Sequence, residues 1–101
     1  MLELRPNCER CDRDLPPGAD ARICSYECTF CVECAEDALA NVCPNCGGGF
    51  VPRPLRPRGE WREGTGLEHD PPGTRRRQLK YTDVQVEELV ERLRAVDPRD
   101  R

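Results

Sequence analysis

Cys24-Ser-Tyr-Glu-Cys28-Thr-Phe-Cys31-Val-Glu-Cys34, closed by Cys43-Pro-Asn-Cys46, puts six cysteines into the stretch 24–46. Upstream, Cys8 and Cys11 complete a set of eight. The gaps along the set are two, twelve, three, two, two, eight and two residues. Two intervening residues let one tight turn place two sulfurs on adjacent corners of a tetrahedron, roughly 3.7 Å apart around zinc. Eight thiolates make two closed four-sulfur sites, and closed sites are structural, whereas catalytic zinc keeps a position open for water. Two pairings fit the spacing. Sequential pairing joins Cys8, Cys11, Cys24 and Cys28, then Cys31, Cys34, Cys43 and Cys46. Interleaved pairing joins Cys8, Cys11, Cys31 and Cys34, then Cys24, Cys28, Cys43 and Cys46.

Other uses of the cysteines fit less well. Four disulfides suit the even count, but the chain begins Met-Leu-Glu-Leu-Arg-Pro, without the basic and apolar regions of an export signal. The expected location is the cytoplasm, where thiols stay reduced. A thioredoxin-like redox pair needs a βαβ context that is absent from the pattern. Cys28-x2-Cys31-x2-Cys34 followed by Cys43-Pro44 echoes an iron–sulfur run, but eight residues precede Cys43 where the bacterial ferredoxin run has about three. Two structural Zn²⁺ ions are the expected cofactors, with an iron–sulfur protein as an alternative.

Composition narrows the function classes. Of 101 residues, 37% are hydrophobic and 5% aromatic, with ten prolines and eight glycines. That excludes a large single-core domain with a deep pocket, and no enzyme activity is expected. No apolar run approaches the length of a membrane span. Residues 1–50 offer few core candidates: Leu4, Leu15, Ile23, Tyr26, Phe30, Leu39, Val42 and Phe50. So small a core barely offsets the entropy of ordering the module. A structural zinc adds on the order of 10 kcal/mol, which makes the metal a condition of folding.

Past the cysteines the character changes twice. Residues 51–80 hold eight basic and four acidic groups, five prolines and four glycines. This composition reads as a flexible, disordered linker. Residues 81–97 then read as an amphipathic helix. Thr82 and Gln85 form a capping-box pattern, Val86, Leu89, Val90, Leu93 and Val96 share one face, Glu88 and Arg92 are paired at i,i+4, and Pro98 closes the segment. A helix this short needs a surface to dock on. The candidates are the N-terminal module, a second copy of the chain, or a foreign protein. Val86, Leu89, Val90 and Leu93 are the candidate partner-binding residues.

The eight-ligand order, long after the second ligand and short after the third, resembles a RING-type cross-brace with every ligand a cysteine. Cys24 to Cys34 lies where RING domains usually have Cys-Gly-His-x-Phe-Cys-x-x-Cys. Phe30 matches the RING core phenylalanine, and Cys43-Pro44-Asn45-Cys46 matches the closing Cys-Pro-x-Cys. The resemblance implies the interleaved pairing and a short helix over Ala35–Val42, with Leu39 and Val42 facing inward. Ubiquitin ligases of this class usually carry an aliphatic residue between the first two ligands and often a basic one after the last. Here those positions hold Glu9 and Arg10, and Gly47-Gly48-Gly49. Ligase-like activity is accordingly the least favoured function.

Further stretches extend the resemblance: Met1 to Asp12, Arg22 to Cys31, Val42 to Gly48, and Arg53-Pro-Leu-Arg-Pro. Over residues 1–58 the chain is similar to a family of short bacterial cysteine-rich proteins catalogued as domain of unknown function 1272. That resemblance implies a bacterial, cytoplasmic, metal-binding protein and carries no activity.

The expected architecture is a small zinc-stapled α+β module, RING-like or treble-clef-like, over residues 1–50, followed by the linker and the helix. The expected function is a non-enzymatic protein-interaction adaptor, with a protein partner and with self-association through the helix as an alternative. Nucleic acid is not expected on the module itself. Thiolates and two Zn²⁺ ions take residues 1–50 from −5 to −9, and Glu9, Asp12, Asp14, Asp20, Glu33, Glu36 and Asp37 read as its surface groups. Association through the basic stretch 51–80, with Arg75, Arg76, Arg77, Lys80 and Tyr81, is the alternative. His69 reads as a solvated linker residue. Trp61 reads either as an anchor or as an exposed contact.

Overall fold

Strand formation begins where β-branched and aromatic residues interrupt the polar sequence. The computed structural model describes all 101 residues. It contains β1 (Ala21–Ile23), β2 (Thr29–Cys31), β3 (Val51–Pro52), one α-helix, α1 (Asp83–Leu93), and short helical turns at Cys34–Ala38 and Pro98–Asp100. The sheet order is β2-β1-β3, with antiparallel pairing throughout. Arg22 sits opposite Phe30 on one side and Pro52 on the other. Pro52 is tolerated because β3 is an edge strand.

Regular elements account for a minority of the backbone wiring. Of 38 backbone hydrogen bonds, 23 lie in turns, loops and caps. Phe30 is fully buried and meets Phe50 edge-on, with ring centroids 5.3 Å apart. Leu4, Leu15, Ile23, Leu39 and Val42 are buried with it, as their apolarity requires. Tyr26 is the exception: it stands 72% exposed, because it occupies the tip of the β1–β2 turn.

The helix expected over Ala35–Val42 is one wide turn, Cys34–Ala38, closed by a bond from Leu39 N–H to the Cys34 carbonyl at 2.9 Å. The chain then reverses through Ala40 and Asn41, both at positive φ, which returns Val42 to the core and ends the helix early.

The module also extends beyond residue 50. β3 completes its sheet, and the buried Arg53 guanidinium donates to the carbonyls of Arg5 at 2.9 Å, Leu15 at 3.2 Å and Pro16 at 2.9 Å. Burial without an acidic partner lowers the pKa of Arg53.

Residues 51–80, expected as a flexible linker, make bonds to the module that their composition does not suggest. Arg56 donates to the carbonyls of Leu2 and Asp70, and Gly73 N–H donates to the Leu4 carbonyl. Asn7 exchanges two bonds with the Arg77 backbone, and Leu79 N–H donates to the Glu9 carbonyl. Arginine forks on backbone carbonyls fix this segment, a mode of ordering that a count of apolar residues does not register. His69 is likewise engaged, with Nε2 2.7 Å from Glu60 Oε2. Trp61 is 80% exposed.

The helix is shorter than its apolar pattern. It opens on the capping box, with Gln85 N–H donating to Thr82 Oγ1 at 3.2 Å and Thr82 N–H to Gln85 Oε1 at 2.9 Å. It ends at Leu93, before Pro98. Arg94 pairs with Glu91, while Glu88 and Arg92 form no ion pair. Val86 and Val90 are buried in the module's core, with Leu89 and Leu93 packed at its edge. The four residues expected to bind a partner thus meet the chain's own module. No helix is long and apolar enough to cross a membrane.

Candidate metal centre

Three of the two-residue gaps are turns. In the first, Asp12 N–H donates to the Cys8 carbonyl at 2.9 Å and Cys8 N–H to the Arg13 carbonyl at 2.8 Å. In another, Gly47 N–H donates to the Cys43 carbonyl at 2.7 Å and Cys43 N–H to the Gly48 carbonyl at 2.8 Å. The third, Cys31–Cys34, leads from β2 into the wide helical turn, and Cys34 N–H points at Cys31 Sγ, 3.4 Å away. The fourth gap, Cys28–Cys31, is extended strand. At about 3.3 Å per residue it separates its ends by about 10 Å and sends them to opposite faces.

Strand β2 therefore runs from one sulfur cluster to the other. At its far end Cys8, Cys11, Cys31 and Cys34 bring all four sulfurs within 4.8 Å of one another. Cys11 Sγ and Cys31 Sγ are 3.8 Å apart, close to the edge of a tetrahedron about a single zinc. At the near end, the turn after β1 carries Cys24 and Cys28. Cys24 N–H donates to the Cys28 carbonyl at 3.2 Å, and Tyr26 N–H reaches Cys24 Sγ at 3.3 Å. The sulfurs of Cys24, Cys28 and Cys43 share the same 4.8 Å limit. Cys46, placed in this group by the sequence, is exposed and is not within that limit of all three. Its Sγ accepts from Gly48 N–H at 3.4 Å.

All eight cysteines are free of disulfide bonds. Crowded sulfurs cannot all carry charge without a cation between them. Hydrogen bonds from Cys28 and Cys43 hold Cys24 down to about 3, while contacts with Cys24 and Cys28, with burial, push Cys43 far up. Burial also raises Cys8 and Cys31. A cation at either centre would replace this sharing of protons with thiolates throughout. The donor sets suit one tetrahedral, thiophilic ion each.

Glu9 links the two centres, although its charge had marked it as a surface group. It is buried because Oε2 accepts from Thr29 N–H at 2.6 Å and from Arg5 Nη1 at 2.9 Å, while Oε1 faces Asn45 Nδ2 at 3.4 Å. Glu9 lies between Cys8 and Cys11, and Asn45 between Cys43 and Cys46. An acid four residues after an arginine was the one available signal in the sequence. Arg10 turns outward and donates to Cys34 Sγ at 3.5 Å.

Residues 1–56 match the family described as protein of unknown function (DUF1272). The chain belongs to this family. An uncharacterized protein of Rhizobium meliloti (strain 1021) is 67% identical over 58 residues, covering 56% of this chain and 69% of the relative. No solved structure matches the chain. All eight cysteines, Glu9 and Arg53 lie within the DUF1272 stretch. The residues after it, α1 included, lie beyond the family match.

Proposed function

We propose that residues 1–56 form a RING-like cross-brace stapled by two structural zinc ions, and that the chain acts without catalysis as a cytoplasmic interaction module. The observation that carries this reading is the four-sulfur group of Cys8, Cys11, Cys31 and Cys34, with its 3.8 Å sulfur–sulfur edge. Four sulfurs this close leave room for one ion, whereas a multi-iron cluster would hold them farther apart. The second ion takes Cys24, Cys28 and Cys43, with Cys46 closing in as the fourth ligand. Two closed sites leave no position for substrate or activated water. Free thiols in such sites belong in a reducing compartment. The exposed side chains of Val51, Leu55 and Trp61 offer contact area to a protein partner.

Elemental analysis of the purified chain tests the metal reading. The expected result is two zinc ions per chain in a colourless protein. One zinc per chain, or stoichiometric iron with a brown colour, overturns it.

A further inference from the structure

Residues 75–81 cross the module beside the β1–β2 turn and leave an open groove of about 510 Å³. Its volume is within the usual range of small-ligand clefts, about 300–1,000 Å³. The extension contributes Arg75, Arg77, Lys80 and Tyr81, and the module contributes Tyr26 and Asn45. Arg77 is committed to Glu3 at 3.1 Å, and the neighbouring Arg76 to Asp12 and Asp14. Glu9, the one acid in this lining, is neutralised by Arg5. Arg75 and Lys80 form no ion pair.

The groove continues past Tyr81 and Asn45 into a second one of about 460 Å³, which reaches Gln85, Glu88 and Arg92. Arg92 is also free of ion pairs. Three cations without ion pairs thus line the two adjoining grooves, together with two tyrosine rings. Tyr26 is 72% exposed and Tyr81 is 45% exposed, so both rings are open to contact.

We propose that this track binds single-stranded nucleic acid. Arg75, Lys80 and Arg92 contact successive phosphates, and Tyr26 and Tyr81 stack on unpaired bases. The cations alone would suit any polyanion. The exposed rings select a strand whose base faces are free, which a duplex does not offer. The proposal goes beyond the zinc reading and requires only that the scaffold be folded.

The test is fluorescence anisotropy of a labelled deoxythymidine 12-mer titrated with the metal-loaded full chain. Saturable binding is expected. With three phosphate contacts, each lowering the salt exponent by about 0.7, affinity should fall roughly twentyfold between about 50 and 200 mM salt. Arg75→Gln with Lys80→Gln should flatten that dependence to an exponent of about 0.7. Tyr26→Ala with Tyr81→Ala should weaken binding at least about tenfold, with metal content and helical circular dichroism unchanged. If that variant misfolds, Tyr26→Phe with Tyr81→Phe keeps both rings and should keep the affinity. Absence of binding at low salt overturns the proposal. So does a duplex or poly-glutamate that binds or competes as well as the single strand, or a folded tyrosine variant of undiminished affinity. Metal content is read in the same samples, so these outcomes are distinct from failure of the zinc reading.

Discussion

After its second sulfur, the Cys8–Cys11 turn places Asp12 at φ +64°, and the Cys43–Cys46 turn places Gly47 at +79°. The backbone bonds around the two turns correspond one for one. What covers them differs. Asp12 is held by side chains: its carboxylate accepts from Asn7 at 3.0 Å and from Arg76 at 2.9 Å, and its carbonyl accepts from Arg76 at 2.6 Å. Gly47 is covered by α1, whose Leu93 Cδ1 lies 2.9 Å from where a Cβ would stand. Arg101 adds a bond to the Gly47 carbonyl at 3.1 Å. The same turn can therefore be fixed by local polar bonds that hold a strained residue, or by helix packing over a glycine that takes the left-handed φ without strain. In both cases the segment beyond the family match supplies part of the cover.

The severest way to break the comparison is to remove the metal both turns are read as serving. Chelation should unfold residues 1–56 cooperatively, with a loss on the order of 10 kcal/mol per ion. Circular dichroism and amide dispersion in NMR would follow it, and persistence of dispersed resonances in the stripped protein would refute it. Acid should act in the same direction. The ligands bind as thiolates, so protons compete with the ion, and the metal should leave as the pH falls towards about 5, with free zinc reported by a chromogenic chelator.

Glu9→Ala strikes the link between the two turns. It leaves the Arg5 guanidinium with Glu3 as its one remaining carboxylate, at 3.2 Å, and the buried Thr29 N–H without its acceptor, and should cost about 2–3 kcal/mol in denaturant unfolding. A loss below about 1 kcal/mol would mean that the two centres are not coupled through this residue.

Gly47→Ala should come next, at about 1–2 kcal/mol, mostly left-handed strain with a smaller part from displacing the end of Leu93. Adding Leu93→Ala should recover the packing part, and a double-mutant cycle with zero coupling would show that α1 does not press on this turn. Asp12→Gly, the same exchange made in reverse at the first turn, should stay within about 1 kcal/mol of the parent, because relief of strain offsets the lost bonds.

The smallest effect should be Arg76→Ala. Its partners are solvent-exposed, and the unfolding midpoint should hardly move. A larger loss would show that the first turn depends on the extension as strongly as the second does.

Much of the centre could be read in advance. The cysteine gaps identified the turn-forming pairs, and Phe30, Leu39 and Val42 are buried as their apolarity requires. The gap Cys28–Cys31 is the instructive failure of spacing. It has the same length as the three turns but is strand, because Thr29 and Phe30 favour extended backbone and pair with β1. Only the RING resemblance pointed to the interleaved grouping. The burial of Glu9 is not legible from its charge, because burial of a paired acid depends on a partner that composition does not disclose. The attachments of residues 51–80 are hidden for a related reason: they come from Arg53, Arg56 and Asn7 bonding to distant backbone.

Strand β2 also sets what lengths this sequence can tolerate. Inserting one residue between Cys28 and Cys31 would turn the second sulfur to the opposite face and pull it from its cluster. The loop between Pro16 and Ala21 carries no such phase. Insertions and deletions should therefore accumulate in that loop, while the two-residue interval after Cys28 stays fixed.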